Sequence, residues 1–200
     1  APEHPLFLRH VSGHAGLANS RALQIAGITR ETPEPPGGSI RRDDNGNPNG
    51  LLEEPSAMDM VQDKMPQATH AEWLESIRYS GAMYTAKGVT TAHEGGTTDA
   101  MWDAYFDAHA KGLLSCRVQL LPRHGSFTFS RVSSTQGGTQ LTADGFLSLG
   151  ATKLFQDGSL QAYTGSLTNP YYKIINPHFP GGPLYRGYSI RSQNEFTDMV

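Results

Sequence analysis

Between residues 69 and 155 the chain repeats one pattern: a helix-like stretch, a glycine, a short apolar run and a polar turn. Thr69 with Glu72 three residues later is a capping box. The stripe Trp73, Ile77, Ala82, Met83 and Ala86 follows, and Gly88 closes the helix. Val89 to His93 reads as a strand, turned by Glu94-Gly95-Gly96. Thr98 or Asp99 opens a second helix with Met101, Trp102, Tyr105, Phe106 and Ala110, ended by Gly112. Leu113 to Leu121 is the next strand and Pro122-Arg123-His124-Gly125 the next turn. After a polar, poorly periodic stretch over 126–144, an apolar run leads through Leu147 to Phe155. Such a βα repeat predicts parallel strands in an α/β fold. The runs end at His93, Arg123 and Lys153, 30 residues apart, the last reaching Phe155; a βαβ unit takes about 30 residues. A barrel and a doubly wound sheet both give this repeat, and both place chemistry at the C-terminal strand ends. His93, Arg123 and Lys153 are therefore expected on one rim.

Alternation puts Leu147, Leu149, Ala151, Lys153 and Phe155 on one face of the third strand. An ammonium on an apolar strand face is costly, so Lys153 needs a partner, a chemical modification or an exit to water. Pairing with Asp157 is one exit. Asp157, before Gly158-Ser159, reads either as an Asx-turn or cap or as a substrate-side group. His93 is a hydrogen-bonded rim residue or a substrate contact. Its neighbour Glu94 points to the opposite strand face, so the two make no catalytic dyad. Arg123 suits a substrate carboxylate or a surface salt bridge.

The first third has another texture. Leu6 to Val11 reads as a strand, Ser12-Gly13-His14 as a turn, and Ala15 to Ala26 as a helix stopped by Gly27. Residues 32–49 are rich in Pro, Gly, Asp and Asn. Ser39-Ile40-Arg41-Arg42 and Leu51-Leu52-Glu53-Glu54 can pair as a small hairpin, with Arg41 and Arg42 on a solvated tip. Residues 1–68 are thus read as a strand, a helix and an irregular cap, and residues 69–200 as the repeat proper. Ser166 to Gly187 is a long loop with Pro170-Tyr171-Tyr172, Asn176-Pro177 and Phe179-Pro180-Gly181-Gly182, suited to a lid. Ser192 with Glu195 marks a last helix start.

The formal net charge of −3 gives no electrostatic footprint for nucleic acid or an anionic membrane. The single cysteine, Cys116, lies in an apolar run and reads as core filling. With no run apolar enough for a membrane span and no leader pattern, the expected location is the cytoplasm. The chain opens on Ala1 and stops at Val200 inside a helix-like pattern, which reads as an internal piece of a longer protein.

Several segments, in order, resemble one family. They are Leu8-Arg9, Gly13-His14, Asn19-Ser20-Arg21-Ala22-Leu23, Ala26-Gly27-Ile28, Pro35-Pro36-Gly37-Gly38 and Gly50-Leu51-Leu52-Glu53-Glu54. Then come Gly88-Val89-Thr90-Thr91-Ala92-His93-Glu94-Gly95-Gly96, Lys153-Leu154-Phe155-Gln156-Asp157-Gly158-Ser159-Leu160, Pro170-Tyr171 and Arg186-Gly187. The set resembles amidohydrolase family 3 of the amidohydrolase superfamily, on the side of the formamide-deformylase-like metal-dependent hydrolases.

The resemblance implies a partial (β/α)8 TIM-type barrel with a loop and hairpin insertion in its first third. It implies cleavage of a non-peptide C–N bond in a small amide, formamide or cyclic amide by metal-activated water. Zinc is the expected divalent metal, as one or two ions. The family's His-x-His motif falls upstream of this chain, and two single His ligands and an Asp fall beyond Val200. Lys153 matches the lysine that many superfamily members carboxylate to bridge two metals. A carbamate replaces a buried ammonium by an anion whose two oxygens suit cations about 3.5–4 Å apart. The resemblance also favours a substrate-pocket role for His14, and assigns Asp157 to the catalytic segment. It implies that the piece alone is inactive. A non-catalytic barrel homologue that binds or regulates is the rival reading, and a lyase or isomerase on the same scaffold is a further one. Homo-oligomer formation is left open.

Overall fold

A computed structural model of the chain describes residues 3–172 and 182–200; Asn176-Pro177 and Phe179-Pro180-Gly181 of the expected lid lie outside them. The chain divides into two compact units, Ala1–Gln67 with Phe155–Val200, and Ala68–Leu154. Residues 155–200, read from sequence as a continuation of the repeat, thus cluster with the first 67.

In the first unit, the irregular cap is a four-stranded antiparallel sheet. Strands β1 (Phe7–Arg9), β2 (Ala15–Ala18), β3 (Ser39–Arg42) and β4 (Pro48–Glu53) lie in the order β1-β2-β4-β3. The expected helix from Ala15 is shorter than its pattern. Ala15–Ala18 pairs with β1 on one side and β4 on the other. Helix α1 (Ser20–Ala26) starts only after Asn19, whose side chain accepts from the Ala22 amide. Asn19 supplies an N-terminal cap that Ala15 lacks, and the double strand pairing claims the residues before it. Gly27 ends α1 at φ 70°, as its position predicted. The expected β3–β4 hairpin forms, with Ser39 opposite Glu53, Ile40 opposite Leu52 and, after a register shift, Arg42 opposite Pro48. A second helix, α2 (Glu54–Gln62), follows directly with Pro55 in its first turn, where proline is tolerated. Ala18, Leu23, Ile40, Leu52, Met58 and Val61 fill the core of this layer.

Arg41 and Arg42 do not sit on a solvated tip. Arg41 makes a bidentate contact with buried Glu53. Arg42 donates to the carbonyls of Thr29, Arg30, Thr32 and Gly46. The loop over 29–32 turns carbonyls toward Arg42, and a guanidinium has five donors to meet them.

The second unit holds the βα repeat. Helix α3 (His70–Thr85) starts at the Thr69–Glu72 capping box. Strands β5 (Thr91–Thr97) and β6 (Arg117–Pro122) flank α4 (Asp99–Ala110), capped by Thr98. Helix α5 (Phe127–Val132) then leads to β7 (Leu147–Leu149). The sheet is β5-β6-β7 and its pairs are parallel. Trp102, Val118, Leu120, Leu147 and Leu149 form its core, and Ile77, Ala104 and Ala108 join α3 to α4. Cys116 is buried, as expected of a filler.

Two strand limits differ from expectation. β5 runs through Glu94-Gly95-Gly96 to Thr97, because Glu94 pairs with Leu120 and Thr97 with Pro122 of β6, with a register shift across the two glycines. β7 stops at Leu149 rather than reaching Phe155. Residues 193–197 form α6 (Gln193–Thr197), with the Ser192–Glu195 capping box in place.

Candidate functional site

The C-terminal edge of the parallel sheet is built by backbone pairing. The Arg123 amide donates to the Thr97 carbonyl at 3.2 Å, the Lys153 amide to Pro122 at 2.8 Å, and the His124 amide to Lys153 at 3.0 Å. Arg123 and Lys153 form an isolated parallel bridge. The sheet therefore brings these two together beyond the ends of β6 and β7. It does not bring His93 to them. His93 is a register partner of Gln119, which pairs with Ser148. It lies four residues below Thr97 along β5, about 13 Å at roughly 3.3 Å per residue. His93 is exposed, whereas Glu94 turns inward and accepts from the Tyr105 hydroxyl at 3.2 Å. Burial pushes the Glu94 carboxyl up, against the pull of that bond. Burial, then the nearby Glu94 charge, raises the Tyr105 phenol.

Lys153 is half-buried and lies beyond the end of β7. The cost that the alternation pattern assigned to a fully buried ammonium is accordingly reduced. No group of three or more His, Cys, Asp or Glu that could hold a metal occurs among the described residues.

The first unit contains a buried carboxylate cluster that no periodicity in the sequence reports. Glu53 and Glu54 close β4 and open α2, and both are buried. Arg41 donates to Glu53 at 2.9 and 2.6 Å, and the Tyr188 hydroxyl reaches the same carboxylate at 3.4 Å. Burial pushes the Glu53 carboxyl up and the guanidinium opposes that push. Burial, then the Glu53 and Glu54 charges, raises the Tyr188 phenol; burial and Glu53 take Tyr185 up to about 12.

His14 Nδ1 lies 2.7 Å from Glu54 Oε2, and the Glu54 amide donates to the His14 carbonyl at 2.9 Å. The imidazole also meets the Phe155 ring edge-on at 6.2 Å. Glu54 takes a left-handed backbone, φ 66°, which costs a residue with a side chain about 1–3 kcal/mol. Gly158 packs on this carboxylate: a Cβ there would collide with Glu54 Oε1 and Thr164 Oγ1. Asp157 accepts from the Ser166 amide at 2.8 Å and bridges to Ser189, so its placement is that of a loop fastener. The adjacent glutamates after an apolar strand were the available sign of this cluster; a hairpin reading placed them at an edge.

An apolar pocket of about 190 Å³, lined by Leu6, Phe7, Ile25, Val61 and Met65 among others, has Lys64 as its only charged group. It carries no chemistry of its own. No helix among the described residues is long and apolar enough to cross a membrane.

The chain, with a parallel βα sheet in one unit and an antiparallel sheet in the other, is similar to known proteins. The sequence model of the amidohydrolase family matches residues 1–200. A Bacillus subtilis (strain 168) protein carrying the amidohydrolase name YtcJ is 32% identical over 176 residues, covering 85% of this chain and 32% of that protein. The N-substituted formamide deformylase of Arthrobacter pascens is 36% identical over 132 residues, covering 64% of this chain and 24% of that enzyme. The crystal structure of an uncharacterized metal-dependent hydrolase from Pyrococcus horikoshii OT3 superimposes with a TM-score of 0.64 at 21% identity, over 98% of this chain and 36% of that one. The chain belongs to the amidohydrolase family. It spans about a third or less of the length of these relatives.

Proposed function

We propose that the protein hydrolyses a non-peptide C–N bond in a small amide, formamide or cyclic amide, with Lys153 acting as a metal-binding carbamate. The observation that carries this reading is the place of Lys153, bridged to Arg123 at the C-terminal edge of a parallel sheet, in a chain whose family match covers all 200 residues. The deformylase name of one relative supports the bond type. The three-stranded sheet is taken as a section of a (β/α)8 barrel, whose reactions occur at that edge. A divalent metal, zinc in this reading and as one or two ions, supplies water activation and carbonyl polarisation when bound.

The chain's own residues have narrower tasks. The Lys153 carbamate offers two anionic oxygens where its amine offers none. Arg123, across the bridge, carries a charge that balances that anion or grips a substrate carboxylate. His14, fixed by Glu54, contacts substrate, while His93 serves the open sheet face below the rim. Asp157 holds the segment after Lys153 in shape. The partner is a small molecule rather than nucleic acid or membrane, and the location is the cytoplasm.

Growth with isotope-labelled bicarbonate tests the central claim. The purified protein is expected to show a carbamate resonance that Lys153→Met removes, together with bound metal and activity on a panel of amides and formamides. A metal-loaded, active protein with an unmodified Lys153 amine would overturn the lysine's role. A metal-loaded protein inert on the whole panel would overturn the hydrolase reading.

A further inference from the structure

The contact between His14 and Glu54 differs from the other histidine–carboxylate pairs. His70 with Asp107 and His109 with Asp144 are surface pairs whose carboxylates are 34% and 53% exposed. Glu54 is 0% exposed and His14 is 15% exposed. Among the described residues, Glu54 Oε1 accepts no hydrogen bond. It is shielded by Gly158, the residue type that leaves room for it. The side-chain hydrogen-bond partner of Glu54 Oε2 is His14 Nδ1. The Glu54 backbone is left-handed, at φ 66°, and such strain gathers where geometry is used.

We propose that Glu54 is a positioning residue that locks His14 in the Nδ1–H tautomer and presents the Nε2 lone pair to an N–H group of the substrate. An ionised carboxylate only accepts, so the proton between the two groups sits on Nδ1. Neutral imidazole then has Nε2 as its acceptor. Nε2 has no hydrogen-bond partner among the described residues. The Phe155 ring closes one side of the imidazole and limits its rotation. The arrangement selects substrates that carry an N–H donor. That choice of ligand rests on the amide-hydrolase reading above; the locked tautomer does not.

Nuclear magnetic resonance of the intact protein with isotope-labelled histidine reads the tautomer directly. The unprotonated nitrogen of neutral His14 is expected on Nε2, in at least about tenfold excess. Glu54→Gln keeps an acceptor oxygen at similar volume and is expected to keep that excess, whereas Glu54→Leu removes the acceptor and is expected to abolish it. His14→Leu is expected to lower kcat/KM by about tenfold, the worth of one hydrogen bond, mainly through KM. An Nε2–H tautomer in the unsubstituted protein overturns the proposal, even if Glu54→Gln fails to fold. An Nδ1–H excess that survives Glu54→Leu also overturns it. If no amide is turned over at all, the hydrolase reading falls while the resonance measurement still decides the tautomer.

Discussion

Arg41 and Glu53 face each other across the β3–β4 hairpin and join through two hydrogen bonds, at 2.9 and 2.6 Å, with side chains 13% and 1% exposed. Removing one partner of such a pair leaves a buried charge with no compensation. Arg41→Met should therefore destabilise the first unit by about 3–5 kcal/mol at neutral pH, read as a lower denaturant midpoint. The pH arm has a definite sign. Burial already raises the Glu53 carboxyl above the ordinary glutamate value of 4.5. A raised acid favours the folded state below that value and loses the benefit as pH rises. The deficit of Arg41→Met should narrow on acidification, and a deficit independent of pH would show that Glu53 is not left charged.

Gly158 is a second constrained point of the same unit. Its added Cβ would meet the Glu54 carboxylate and Thr164, both buried. Gly158→Ala should destabilise by about 1–3 kcal/mol, the usual cost of overpacking. A thermal melt unchanged from the parent protein would place the Asp157-Gly158-Ser159 turn further from Glu54.

What the sequence showed and what it hid divide along contact range. The Thr69–Glu72 and Ser192–Glu195 boxes are local, so both helix starts were legible. So was the β3–β4 hairpin, whose turn residues carry their own conformational preference. The parallel order of the βα units was legible too, because 30-residue spacing leaves few alternatives. Helix α2 was hidden: Pro55 resembles loop sequence, and Glu53 makes no side-chain cap bond. The extent of β5 was hidden because Gly95-Gly96 has turn chemistry, and only the pairing with β6 overrules it. His14 and Glu54 are 40 residues apart, and no periodicity reports a contact at that distance. Lys153 stood out by pattern, whereas its bridge to Arg123 required the register of the sheet.

The short β7 makes a sharp test of the second unit. Leu147 is fully buried against β6 and α4, while Ser148 points to the other face. Leu147→Ala should cost about 2–5 kcal/mol, and Ser148→Ala no more than about 0.5 kcal/mol in either direction. Equal costs at the two positions would contradict the assigned faces of the strand.

The acid limb of stability should report a surface contact of the same unit. The His109 ring bonds Asp144 at 2.9 Å, and the Phe146 amide and Thr142 hydroxyl add further bonds. These three, in that order, lower the Asp144 carboxyl from 3.8 to about 2. A depressed acid contributes stability that is present above its unfolded value and is lost as pH falls through its folded value. The loss should therefore fall between pH 3.8 and about 2. Asp144→Asn should flatten the dependence of unfolding free energy on pH in that window and leave its slope near neutrality unchanged. Added salt should weaken the effect, because the pair is exposed and screened. An acid limb that keeps its slope in Asp144→Asn would assign the transition to other carboxylates, among which Asp99, held by Thr128, is the next to test by the same substitution.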